Sequence, residues 1–217
     1  MRSLWKDADS GVEVVYLTEP GEIAQMVRVF EAVAQEQGWQ PGQALGRTAA
    51  HALYFALHQE GRPQPLVGGV QLVCPDAAGN LPCHTLWPKV RCLPRQRGAH
   101  VVILALEAPY RGRPLLFWSL VAELWRYGVE AGVTTLFLEV TPRVLPLYRR
   151  LGWPLQIEGD LRLHWGEECY LCSLSLAEVA GALLHKGEQS PYYREIVAQA
   201  FRVTLMPEMR LGYALAA

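Results

Sequence analysis

In Leu104-Ala105-Leu106-Glu107-Ala108-Pro109-Tyr110-Arg111-Gly112-Arg113-Pro114 a strand gives way to a turn and then to the start of a helix. The run His100 to Glu107 that contains its first residues is continuously apolar rather than alternating, the pattern of a central strand buried on both faces. Arg111-Gly112-Arg113-Pro114 reads as a turn, with Pro114 at the first helical position, where its missing N–H costs nothing. The helix that follows places Leu116, Leu120, Val121, Leu124 and Trp125 on one face and stops near Gly132. Free amides at a helix start, the positive end of its dipole and the guanidinium groups of Arg111 and Arg113 form an anion site suited to phosphate. The same two arginines also read as solvated helix-start residues, because a strand, an Arg-Gly pair and a helix recur widely.

Downstream, Val133 to Val140 is a second buried strand, Pro142 to Arg150 a short helix, and Gly152-Trp153-Pro154 a turn into final strands that end around Cys169 to Leu176. Helices are expected at Ser175 to Lys186 and Ser190 to Phe201, the latter opening on Ser190-Pro191. Upstream, Val12 to Leu17 is strand-like. Ile23, Met26, Val27, Phe30, Val33 and Ala34 then fall at helical spacing up to Gly38. Strands Ala50 to His58 and Leu66 to Cys74 flank the turn Gly61-Arg62-Pro63-Gln64-Pro65. From Pro75 to Ala99 there is no clear period, and a loop of that length tends to be functional, for instance a lid. The element order predicts an α/β (α+β) fold, a mixed sheet with helices on its faces.

The chain has 217 residues, 51% of them hydrophobic and 19% charged, with a formal net charge of −1. That fits one domain over residues 1–217, with 177–217 as a C-terminal helical extension, and it excludes long disorder. No basic run is dense enough for nucleic acid. The N-terminal residues lack the apolar segment of a signal peptide and no apolar stretch is long enough to span a bilayer, so a cytoplasmic location is expected. Cys74, Cys83, Cys92, Cys169 and Cys172 are odd in number, which favours reduced, buried thiols over a disulfide framework. Cys169 and Cys172 lie three apart in an alternating stretch and so point to opposite faces. Cys74, Cys83, His84 and Cys92 match no trusted zinc spacing, and no metal is expected. The six histidines are scattered, without an evident partner.

Thr135-Leu136-Phe137-Leu138-Glu139-Val140 followed by Leu147-Tyr148-Arg149-Arg150-Leu151-Gly152-Trp153, at its spacing from the Arg111 turn, resembles the GNAT (Gcn5-related N-acyltransferase) enzymes. The resemblance implies their fold, a mixed and mostly antiparallel central sheet flanked by helices. It implies that Leu106, Arg111, Gly112, Arg113 and Leu115 hold an acyl donor, acyl-CoA or acyl-(acyl carrier protein). The strand end near Leu106 would splay from Thr135 to Val140 to admit the pantetheine arm. Tyr148 would protonate the departing thiolate, or would only pack its ring on the sheet. Glu107, the better placed, or Glu139 would take the proton of the attacking amine; Glu139 also reads as a strand residue paired with an arginine. A backbone N–H near Leu106 would hold the oxyanion. Pro114, which stands where the family has a loop glycine, offers no amide to phosphate, and Leu116 and Thr141 also depart from the pattern. A single phosphate suffers less from this than a pyrophosphate.

A narrower likeness rests on Arg28-Val29-Phe30 with Gly38-Trp39, on Val67-Gly68-Gly69-Val70-Gln71-Leu72-Val73 with Asn80-Leu81-Pro82 and Leu86-Trp87-Pro88, and on Gly152-Trp153-Pro154. These are similar to acyl-homoserine-lactone synthases and long-chain N-acyl amino acid synthases, which take their acyl chain from acyl carrier protein. The likeness implies an acceptor side shaped by Arg28, Phe30, Trp39 and Arg47, with Arg28 or Arg47 meeting the carboxylate of an amino acid. Gly46-Arg47-Thr48-Ala49-Ala50 lacks the paired acids of the lactone synthases, and Gln71 stands where they carry an arginine. The expectation is an N-acyltransferase acting on a small amine. An acetyl-CoA-dependent acetyltransferase and a non-catalytic domain that binds an acyl carrier are the alternatives.

Overall fold

The computed structural model describes residues 1–7, 10–41, 51–90 and 97–201. Eight strands form one sheet: β1 (Arg2–Lys6), β2 (Val12–Leu17), β3 (Ala52–Gln59), β4 (Leu66–Val73), β5 (Gly98–Leu106), β6 (Thr135–Val140), β7 (Gln156–His164) and β8 (Glu167–Ser175). Their order is β1-β2-β3-β4-β5-β6-β8-β7. Every pairing is antiparallel except that of β5 with β6. The helices are α1 (Pro20–Gln37), α2 (Pro114–Glu130), α3 (Leu145–Arg150), α4 (Leu176–Gln189) and α5 (Pro191–Phe201).

β1 was not evident in the sequence, because Arg2-Ser3-Leu4-Trp5-Lys6 is short and largely polar, as an edge strand should be. It is tied to β2 by a hydrogen bond from the Ser3 hydroxyl to Glu13, 2.6 Å.

Helix α1 lies on one face of the sheet and buries Met26, Val29, Phe30, Val33 and Ala34. It comes close because β4 offers no side chain at Gly69: a Cβ there would stand 2.5 Å from the Phe55 carbonyl oxygen and 2.9 Å from the Met26 sulfur. Gly38 ends α1 at φ 73°, and the Trp39 N–H then donates to the Ala34 carbonyl at 2.8 Å.

On the other face, the α2 side chains anticipated to point inward, Leu116, Leu120, Val121, Leu124 and Trp125, are all buried. Leu176, Val179, Ala180 and Leu183 of α4 enter the same core, and the Trp125 indole donates to the Leu176 carbonyl at 3.2 Å.

The stretch after β4, expected to be a loop, is packed in its described part. Pro82–Thr85 form a 3-10 turn, and Trp87, 1% exposed, joins Phe137 and Leu171 in a small core of its own. Its indole donates to the Asp160 carbonyl at 2.8 Å. Residues 75–90 are thereby fastened beneath β7. Cys83, Cys169 and Cys172 are buried and Cys74 is half-buried, and Cys92 lies outside the described residues. No helix among the described residues is long and apolar enough to cross a membrane.

Candidate active site

β5 and β6 run together for four residue pairs, Gly98↔Thr135 to Val101↔Leu138, and then part. The cause is in β5. Against β4, Gln71 faces Ile103 while its neighbour Leu72 faces Val101, so Val102 is an extra residue, a β-bulge that bends the strand. Beyond it, β5 pairs only with β4, and Glu139 and Val140 of β6 pair only with β8. The splay anticipated near Leu106 begins here, at Val102.

A cavity of about 630 Å³ occupies the gap and passes through the sheet. Toward α2 and α4 its wall is apolar, with Val121, Leu124, Trp125, Leu174, Leu176 and Val179. Toward α1 it is polar and aromatic, with Trp39, Glu139, His164, Trp165, Glu167 and Cys169. Tyr148, Trp153, Arg143 and Arg150 line it beside the end of β6.

Glu139 is the buried carboxylate of this cavity. Its side chain is 8% exposed, and His100 Nε2, 3% exposed, lies 2.8 Å from Oε2. Burial pushes the carboxyl pKa up, but the charge and hydrogen bond of His100 outweigh it, with a smaller pull from His164, and the net shift is downward. Glu139 Oε1 and His100 Nδ1 have no hydrogen-bond partner among the described residues. The partner is therefore a histidine from the neighbouring strand, not the arginine that the sequence suggested.

Glu107, preferred from the sequence, stands elsewhere. β5 ends at Leu106, and Glu107 opens a 3-10 turn, Ala108–Tyr110, that swings over the β3–β4 turn. There its carboxylate meets Arg62 at 3.1 Å, outside the cavity lining. Its N–H is also taken, by the Val67 carbonyl at 2.9 Å, while Leu106, one residue earlier, turns its own N–H to the opposite edge, away from β4. The backbone that the bulge removes from the ladder is that of Val102, which does line the cavity.

The turn before α2 has Gly112 at φ 76° and Arg113 as the helix cap. Arg111 donates through Nε to the Leu106 carbonyl at 2.8 Å and grips Glu36 of α1 with both terminal nitrogens. Arg113 lies over the Tyr110 ring, 5.3 Å from its centre, with Arg62 5.5 Å from the same centre. Both guanidinium groups thus have protein partners. The amides of Gly112, Arg113 and Leu115 have no hydrogen-bond acceptor among the described residues, as an anion cradle at a helix start requires.

Tyr148 is half-buried, its ring stacked on Trp153 with centres 4.8 Å apart and planes at 13°. Burial raises its phenol pKa, so the group holds its proton at neutral pH. On the acceptor side, Trp39 lines the cavity and donates its indole N–H to Glu167 at 2.9 Å. Phe30 is fully buried between α1 and the sheet, and Arg28 is exposed on α1; neither reaches the cavity lining. Arg47 lies outside the described residues.

No protein-family profile and no curated protein matches the chain. Solved structures do. An N-acyl amino acid synthase, FeeM, from uncultured soil microbes superposes with a TM-score of 0.64 at 18% identity, over 79% of this chain and 94% of that one. The CoA-dependent acyl-homoserine lactone synthase BjaI gives 0.57 at 12% identity, over 76% and 84%. A putative N-acetyltransferase from Lactobacillus plantarum gives 0.55 at 13%, over 76% and 98%. The chain has the GNAT fold.

Proposed function

We propose that this chain is an N-acyltransferase that moves an acyl group from a thioester to the amine of a small molecule such as an amino acid. The observation that carries this reading is the cavity through the splayed sheet, apolar at the α2–α4 end and polar at the α1 end. An acyl chain is served by the first end and an amine by the second, so the thioester carbonyl would sit between them, level with the end of β6. The backbone of Val102 is the candidate oxyanion donor there, and Tyr148 the candidate general acid, since sulfur leaves more readily when it is protonated as the C–S bond breaks. Glu139, ionised and presented by β6, would draw in the amine.

The donor's phosphate is assigned to the Gly112, Arg113 and Leu115 amides. Pro114 withholds one more amide, and the arginines are engaged, so a single phosphate on the arm of an acyl carrier protein suits the turn better than a pyrophosphate. The exposed Arg143, Arg149 and Arg150 would face the acidic surface of such a carrier. An apolar chamber of this extent argues against acetyl as the natural group, and thiol release separates an enzyme from a domain that only binds.

Mass spectrometry of solvent extracts from cells expressing the chain, against an empty-vector control, tests the reading. New N-acyl amines, with their acyl length and acceptor, are expected. Their absence, together with no thiol release from decanoyl-CoA or decanoyl-carrier protein, would overturn it.

A further inference from the structure

One polar side chain in the cavity has a built position and no hydrogen-bond partner among the described residues. His164 ends β7 and faces Glu167 across the hairpin. The next residue, Trp165, is held at φ 50°, left-handed backbone that a bulky side chain rarely adopts. Such a residue persists only where its surroundings over-determine it, and these positions gather at functional sites. Here the surroundings are plain. The Gln40 N–H donates to the Trp165 carbonyl at 2.8 Å, and the Trp39 indole holds Glu167, so the hairpin tip is fastened to the end of α1. The His164 ring lies face to face on Trp165, 4.9 Å between centres at 23°, with Trp87 6.3 Å away. Neither ring nitrogen is hydrogen-bonded to a described residue, yet the ring lines the cavity together with Glu139.

We infer that His164 is the catalytic base that takes the proton from the attacking amine, and that the buried Glu139–His100 pair positions the reacting groups and stabilises the imidazolium that forms. This rests on the acyl-transfer reading given above. The amine nitrogen attacks the thioester carbonyl, forming the C–N bond while the carbonyl electron pair moves to oxygen. The proton on that nitrogen passes to His164. The oxygen pair returns, the C–S bond breaks, and the sulfur leaves with its electrons and receives a proton from Tyr148, which His164 restores. Thioester and amine thus become amide and thiol, with no other reactant.

The electrostatics agree with the geometry. Burial pushes His164 below the ordinary histidine range, Glu139 raises it in part and His100 lowers it again, so the ring is neutral near pH 7 and able to accept. The charged and titratable groups around it are Glu139 from β6, His100 from β5, and Glu167 and Cys169 from β8. Glu167 is engaged by Trp39, which leaves Glu139 as the countercharge for the imidazolium.

The test follows thiol release from a decanoyl thioester, on CoA or on carrier protein, with the common amino acids as acceptors, across pH. In the wild type kcat/KM should rise along an acidic limb. His164→Ala should lower kcat by about 100-fold, abolish that limb and regain turnover with added imidazole. His164→Gln, which keeps a planar group on Trp165, guards against a folding failure and should lose the same limb. In parallel, the ring resonance that titrates below the ordinary range in the wild type should vanish in His164→Gln and move to still lower pH in Glu139→Gln. Either His164 variant that keeps the wild-type kcat and acidic limb overturns the inference, as does a loss confined to KM. A wild type that turns over no donor overturns the acyl-transfer reading and this inference together.

Discussion

Arg111 and Glu36, 75 residues apart in sequence, are joined by two hydrogen bonds, Nη1 to Oε1 at 2.6 Å and Nη2 to Oε2 at 2.8 Å. The pair ties the last turn of α1 to the turn that precedes α2, and so connects the acceptor side of the cavity with the candidate phosphate cradle. The bond from Arg111 holds the Glu36 carboxyl below its ordinary range, against a small opposing effect of burial. On the acyl-transfer reading, a donor seated on the neighbouring amides would compete with Glu36 for Arg111. Glu36→Gln should release it and lower KM for the donor by up to about fivefold, which is what an exposed ion pair is worth, with little change in stability. Arg111→Ala should raise the same KM by about 10- to 100-fold, the loss of a charge-assisted hydrogen bond. Steady-state thiol release with varied donor measures both.

Tyr148 keeps its ring on Trp153 when the hydroxyl is removed, so Tyr148→Phe should preserve the fold. Its cost should fall on kcat, by about 100-fold, with KM unchanged. Because burial raises the phenol, wild-type kcat should show no alkaline fall attributable to Tyr148 below the ordinary tyrosine range. A pH–rate profile of both proteins checks this.

The apolar end of the cavity sets the acyl length on this reading. Val179, 2% exposed on α4, lines that end. Val179→Phe should shift the product profile toward shorter chains, read by mass spectrometry, at an overpacking cost of about 1–3 kcal/mol.

His100 and Glu139 form a buried pair, and breaking it from one side strands the other. His100→Leu should destabilise the protein by about 3–5 kcal/mol, and the double variant with Glu139→Leu should recover much of that, as measured by urea unfolding. The pH dependence has a definite sign. Glu139 is held below its unfolded value, so its contribution is present above the ordinary carboxylate range and is lost as pH falls through the lowered folded pKa. The acid-side loss of stability should therefore shrink in the double variant.

Much of this architecture is legible in the chain itself, because α1, α2, β5 and β6 carry their period or their unbroken apolar runs in consecutive residues. The order of strands and helices follows from such local patterns, whereas Tyr148, Glu139 and Trp39 stand out only through the likeness to acyltransferase motifs. What escapes is what depends on register. Nothing in His100-Val101-Val102-Ile103 marks Val102 as a bulge; that appears only when Gln71 and Leu72 are aligned against it. His100 and Glu139 come from two strands whose parallel offset no local pattern encodes. A polar residue inside each apolar strand was the only available sign, since a buried polar group must find a partner. Glu107 misled for a related reason: it lies one residue past the strand end, where the chain has already turned toward Arg62. His164 looked unremarkable because the left-handed backbone of Trp165 beside it leaves no mark in the local sequence.

The parting of β5 from β6 after four pairs has one more consequence. Two main-chain edges face each other inside the molecule, where an open edge is shielded from neighbouring copies and cannot seed aggregation. On the acyl-transfer reading, their donors and acceptors would favour an elongated guest that carries amides of its own over a plain hydrocarbon. Because that selectivity is written in peptide groups, point substitution can change what enters at either end of the passage while the passage itself is inherited intact.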